Sequence, residues 1–201
     1  LDTLLDQNAY IIVAAGQDES FGGGLDAHCQ AASTDKIKRD RIAGVGRSLA
    51  ADGINSTLAN ITEHTLANDR IIFVAPGIRV ADNAVSPPRD VTLPGAYAAA
   101  AVAGLLAANP PHISLTNKTL RIGGLAKFYR AAELPQLLQS RVLALESRQG
   151  FRIVRGITAS TNTAWTQITT RRIVDYAKFG VRSAANSYIG RLNNERVRGA
   201  M

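Results

Sequence analysis

The chain has 201 residues, 46% of them hydrophobic and 19% charged, a composition that can bury a core and excludes a disordered tail. Its single cysteine, Cys29, excludes a disulfide framework and a cysteine-based zinc site within the chain, and three scattered histidines without an HExxH pattern point away from a metal enzyme. The net charge of +7 is unevenly divided: residues 1–100 carry 8 Lys/Arg against 12 Asp/Glu, a balance of −4, while residues 101–201 carry 15 against 4, a balance of +11.

Leu1, Leu4 and Leu5 open the chain inside a helical apolar pattern. The β-branched run Tyr10–Ala15 predicts a buried strand, and Gly22–Gly24 a flexible loop before a helix over Leu25–Ala32. Arg41–Val45 predicts a second strand. Ser56 or Thr57 can cap a helix carrying Leu58, Ile61 and Leu66. Ile71–Ala75 predicts a third strand, stopped by Pro76 and Gly77. Strands alternating with helices imply a parallel sheet flanked by helices. A loop from Pro76 to Gly95 holds four of the seven prolines. Gly95–Ala108 predicts a buried central helix, closed by Asn109, Pro110 and Pro111; at about 14 residues it is too short for a bilayer, which needs about 20. A loop with His112, Ser114 and Lys118 follows, then a short helix over Glu133–Ser140. Val142–Leu145 and Phe151–Ile157 flank Ser147–Gly150 as a β-hairpin. Thr166 can cap a final long helix. Its apolar positions Ile173, Ala177, Val181 and Ala184 predict a seam docked on the body, with Arg171, Arg172, Lys178 and Arg182 beside it. Asn194 reads as an N-cap with Glu195 in a first turn. With both ends inside helical patterns, the expectation is a piece of a longer protein.

Catalytic constellations are weak. Gly44 and Gly46 follow a strand as a dinucleotide loop would, but Leu49 stands where the third glycine belongs, so a ligand-free strand-to-helix turn is the better reading. His28 and Cys29, adjacent on a helix, point about 100° apart and cannot form a nucleophile–base pair; a packed thiol beside a surface imidazole is expected. Glu63 and His64 are expected on a solvated face. No serine sits in a GxSxG elbow. No catalytic residue, cofactor or metal site is assigned. The basic second half suits a nucleic-acid binder, an acidic protein partner or head-to-tail self-association, although aromatics at 5% argue against base stacking.

Three stretches together resemble the sheath proteins of contractile phage tails and related injection machines: TLPGAYAAAAVAGLLAANPPHISLTNKTL (92–120), RIVRGITAST (152–161) and ITTRRIVDYAKFGVRSAANSYIGRLNNERVR (168–198). YIIVAA, KIKRDRIAGVG and DRIIFVAPG also fit, so the resemblance spans nearly the whole chain. It implies an α/β fold with a parallel or mixed sheet flanked by helices, subtilisin-like without the protease machinery, plus a β-hairpin and a C-terminal helical segment. It divides the chain into a sheath domain at 1–165 and the start of a C-terminal sheath domain at 166–201.

The implied function is structural and not enzymatic. Copies would polymerise as stacked rings around an inner tail tube and contract to drive the tube through a target envelope. The implied partners are further copies, the tube protein, the baseplate and the tail terminator, with no membrane insertion and no direct nucleic-acid contact. The implied location is a virion tail assembled in the host cytoplasm. The candidate assembly interface is the basic cluster Arg171, Arg172, Lys178, Arg182, Arg191 and Arg196, of which the first four give +3 with Asp175; internal pairing of Arg171 and Arg172 with Glu133 or Glu146 is the competing expectation. The alternatives are an α/β nucleotide-binding enzyme around Gly44 and Gly46, or a nucleic-acid-binding domain using the basic half.

Overall fold

Apolar runs too short for helices form the sheet, and longer periodic segments cover it. In a computed structural model that describes residues 1–48, 58–190 and 195–199, the elements run α1 (Asp2–Leu5), β1 (Ile11–Val13), α2 (Gly22–Ala32), β2 (Ile42–Gly46), α3 (Leu58–Thr62), β3 (Ile71–Ala75), β4 (Ile78–Asp82), β5 (Arg89–Leu93), α4 (Gly95–Ala108), β6 (Thr119–Leu120), β7 (Gly124–Leu125), α5 (Leu134–Gln139), β8 (Leu143–Ser147), β9 (Phe151–Ile153), α6 (Ile168–Ala185) and α7 (Glu195–Arg198). The main sheet has the order β1-β2-β3-β8-β9-β6. Its first four strands are parallel, and β9 and β6 complete it antiparallel. The architecture is therefore mixed α/β, with the expected hairpin between β8 and β9.

Alternation along the strands separates two apolar layers. Ile42, Ile72, Val74, Leu143 and Leu145 pack with Ala98, Ala99, Val102 and Leu106 of α4. Ala43, Val45, Ile71, Phe73 and Ala144 pack with Leu25 and Cys29 of α2, Ile61 of α3 and Leu137 of α5. Fully burying one such Leu, Ile or Phe contributes about 1.5–3 kcal/mol.

The two glycines of β2 serve this packing. A Cβ on Gly44 would lie 3.5 Å from Ala99 Cβ, and one on Gly46 would overlap the Gly95 carbonyl carbon and the Ala96 nitrogen. The Gly95 amide donates to Arg47 O at 2.8 Å, so α4 begins directly against the end of β2.

Several local expectations are corrected. The proline-rich loop contains the β4–β5 hairpin, with Ile78 opposite Leu93 and Val80 opposite Val91; β7 joins it to make a three-stranded sheet. Period-two apolar spacing on both sides of Pro87 and Pro88 outweighs the prolines, which sit outside the paired residues. Gly22–Gly24 form the first turn of α2, and Gly22 packs so closely on Leu66 that a Cβ there would lie 2.7 Å from its side chain. Leu66 is buried beyond the end of α3, not on it. Ser56, Thr57 and Leu49 lie outside the described residues. Gln167, not Thr166, occupies the N-cap position of α6, with no capping bond from its side chain, and the Thr166 hydroxyl instead donates to Thr163 O at 3.0 Å.

The histidines also differ from expectation. His28 is buried, with Nε2 2.9 Å from Arg41 Nη1. A guanidinium only donates, so Nε2 accepts and the ring is neutral. His64 is half-buried, bonded to Ser140 O and tilted against Phe73 with ring centroids 4.7 Å apart. Cys29 is fully buried as expected, and burial pushes its thiol up to about 12.

Candidate assembly surface on the long helix

Helix α6 packs by an inverted logic. Its inner face is charged and its outer face apolar. Arg171, Arg172 and Asp175 are buried along with Ile168, whereas Ile173, Tyr176, Phe179 and Val181 are between 46% and 70% exposed. The seam Ile173–Ala177–Val181–Ala184, expected to dock on the body, faces solvent among the described residues. The reason lies below the helix: α6 crosses the N-terminal ends of β1, β2 and β3, where the residues preceding each strand are Tyr10, Asp40-Arg41 and Asp69-Arg70.

Asp175 is the hub. Arg70 grips it with two bonds, Nη1 to Oδ2 at 3.0 Å and Nη2 to Oδ1 at 3.1 Å. Arg171 Nη2 donates to Oδ1 at 2.8 Å, and the Tyr10 hydroxyl to Oδ2 at 3.3 Å. Arg171 also reaches Asp69 Oδ2 at 2.8 Å, and its guanidinium lies 4.5 Å from the centre of the Trp165 ring. Arg70 Nη2 is shared with Asp40 Oδ1 at 3.1 Å, and Arg182 donates to Asp40 Oδ2 at 2.6 Å and to Asp35 Oδ1 at 2.9 Å. Burial opposes the charge of Arg171, but its bonds to Asp69 and Asp175 outweigh that and raise its pKa. Burial, then the Asp175 charge, pushes the Tyr10 hydroxyl far above its usual range, so it stays a donor.

The network separates the six residues of the basic cluster. Arg171 is internal, paired with Asp69 and Asp175 and not with Glu133 or Glu146. Arg172 is internal too: Nη2 donates to Asn109 O at 2.9 Å and Nη1 to Pro110 O at 3.4 Å, and burial lowers its pKa. Arg182 is partly exposed but held by Asp40 and Asp35. Lys178 is partly exposed, with no carboxylate in ion-pair contact among the described residues. Arg191 and the side chain of Arg196 lie outside the described residues.

Sequence reasoning passed over Tyr10, Asp40, Asp69 and Arg70. A signal existed: the dipeptide Asp-Arg stands immediately before Ile42 and again before Ile71, the first residues of two neighbouring parallel strands. Ionisable pairs at adjacent strand starts gather on one sheet end and require a charged partner there.

No family model and no curated protein sequence matches the chain. Its fold does match solved structures. Over 99% of its length it aligns with the crystal structure of the sheath tail protein of Desulfitobacterium hafniense, at a TM-score of 0.72, 17% identity and 44% of that chain. Over 96% it aligns with the PVC sheath complex of an extracellular contractile injection system in its contracted state, at 0.73, 17% identity and 52% of that chain. Over 99% it aligns with the contracted helical sheath of the anti-feeding prophage, at 0.67, 16% identity and 54% of that chain. The chain spans about half the length of these structures and shares their fold.

Proposed function

We propose that this chain is the α/β body of a contractile sheath subunit. The observation that carries the reading is the near-complete fold match to three sheath structures, including two contracted assemblies. Copies stack as rings around an inner tail tube and shift from an extended, metastable lattice to a shorter, wider one, driving the tube through a target envelope. The stored energy is the difference between two packings, so the cycle needs no nucleotide, and the role is structural and not enzymatic. Further copies, the tube protein, the baseplate and the tail terminator are the partners, in a tail assembled in the host cytoplasm. We read the fold as subtilisin-like, with 1–165 as the sheath domain and 166–201 opening the next.

The ion-pair clamp suits this work. Subunits that reorient as near-rigid bodies transmit force only if their elements do not slip. Ion pairs from α6 to the residues before β2 and β3, with the Tyr10 hydrogen bond before β1, hold the helix in one register. Lys178, without an ion-pair partner among the described residues, and the exposed Ile173, Ala177 and Val181 of α6 are the surface offered to neighbours.

Antibodies raised against the chain should decorate contractile particles along their whole length in immunogold electron microscopy. Labelling restricted to a tail end, or no labelling of tubular particles, would reject this role.

A further inference from the structure

Beneath the outer face of α6 lies a cleft of about 380 Å³ between the helix, the strand starts and the turn at Pro111. Tyr10, Tyr176 and Phe179 form its apolar wall, and Lys38, Arg39 and Arg172 its cationic side. None of these three cations has a carboxylate within ion-pair distance among the described residues. Arg39 donates to Leu5 O, Arg172 to the Asn109 and Pro110 carbonyls, and Arg172 Nε has no hydrogen-bond partner among the described residues. The two carboxylates in the cleft are already committed, Asp175 to Arg70 and Arg171, Asp40 to Arg70 and Arg182. The cleft therefore combines exposed aromatic rings with a surplus of positive charge, part of it buried. A buried cation without a counter-charge is costly, and a carboxylate brought in from outside offsets that cost.

We propose that this cleft docks a peptide segment of another protein that carries a carboxylate beside an aromatic or long aliphatic side chain. The apolar side chain lies between Tyr176 and Phe179, and the carboxylate faces Lys38 and Arg39 in the field of Arg172. Three features select this occupant. The volume suits one or two side chains, not a duplex or a polymer backbone. Asp40 and Asp175 repel a polyphosphate. The uncommitted cations stand beside exposed rings, so a carboxylate next to an apolar side chain meets both at once.

The test is fluorescence polarisation with a fluorescein-labelled hexapeptide in which two glutamates flank a phenylalanine, compared with its glutamine twin. Saturable binding is expected, weakened by about tenfold or more in the twin and in the exposed-site variants Phe179→Ser and Lys38→Glu, whose circular dichroism should match the parent. Absence of saturable binding, equal binding of both peptides, or unchanged affinity in both variants overturns the proposal. So does competition by oligothymidylate in place of peptide, or a dimer in sedimentation velocity that Phe179→Ser abolishes, which would make a second copy the occupant. Peptide binding is read on the isolated chain, so failure here leaves the sheath role standing, and failure of that role leaves the cleft standing.

Discussion

Arg70 and Asp175, 105 residues apart, meet through two parallel bonds of 3.0 and 3.1 Å in a buried site, and that pair fixes where the long helix crosses the sheet. Asp175→Asn keeps the shape but leaves Arg70 and Arg171 facing an amide. Removing one partner of a buried ion pair costs about 3–5 kcal/mol, because the remaining charge is uncompensated. The urea midpoint should fall accordingly. Arg70→Met with Asp175→Leu, an apolar replacement of the same contact, should recover part of the loss, with Arg171 still served by Asp69.

The meeting of Gly46 with Gly95 is equally restrictive. Gly46→Ala drives a methyl group into helix backbone, which cannot move aside as a side-chain tip would. The expected loss is at or above the upper end of the about 1–3 kcal/mol typical of overpacking. Gly104→Ala, on the same helix with nothing within 4 Å of the new methyl, should be neutral or stabilising by up to about 1 kcal/mol. Thermal melts of the two variants check this contrast.

How legible the molecule is from its residues follows from what each segment must satisfy. Ile71–Ala75 stands as read, buried at every position; Gly95–Ala108 forms the expected helix but buries only one face, with Tyr97, Ala100, Gly104, Ala107 and Ala108 exposed, because small apolar residues tolerate solvent. The β4–β5 hairpin was hidden by Pro87 and Pro88, although the spacing of Ile78, Val80, Val91 and Leu93 encodes its register. Helix α6 was misread more deeply. Amphipathic spacing locates its apolar face correctly, but not which face turns inward, and here the sheet end beneath it is ionic. The basic cluster was legible as charge; that Arg171 is internal depends on Asp69, and that Arg172 is internal depends on the Asn109 and Pro110 carbonyls, all distant in sequence.

The buried histidines make stability pH-dependent. Burial, then the Arg41 charge, lowers the pKa of His28, and burial lowers that of His64. Both rings are held neutral in the folded chain and protonate more readily once unfolded. Above the ordinary value of about 6.5 they add no pH dependence; as pH falls through that value the unfolded state takes up protons first and stability drops, until the folded-state pKa values are passed. The urea midpoint should decline between neutral and mildly acidic pH. Proton-detected titration should place both imidazoles below 6.5, and midpoints that stay level across that window would contradict the buried neutral rings.

Lys178 and Arg182 can now be separated. Arg182→Glu sets a third carboxylate against Asp35 and Asp40 and should cost about 0.5–3 kcal/mol in the subunit itself, with most of the effect through Asp40 because Asp35 is exposed. Lys178→Glu removes no internal pair among the described residues and should leave the melting temperature unchanged. In the full protein it should still impair sheath assembly, as should the double variant. Particles of normal length and contractility from Lys178→Glu would make that side chain merely solvated.

The most direct measurement of the central claim is helical reconstruction by electron cryomicroscopy of contractile particles built with this protein, in extended and contracted states. The account predicts density for the α/β body at every lattice position, with Arg70, Asp175 and Arg171 in the same mutual geometry in both states while contacts between subunits change. Density for the chain absent from the lattice, or α6 displaced from the sheet end between the two states, would contradict it.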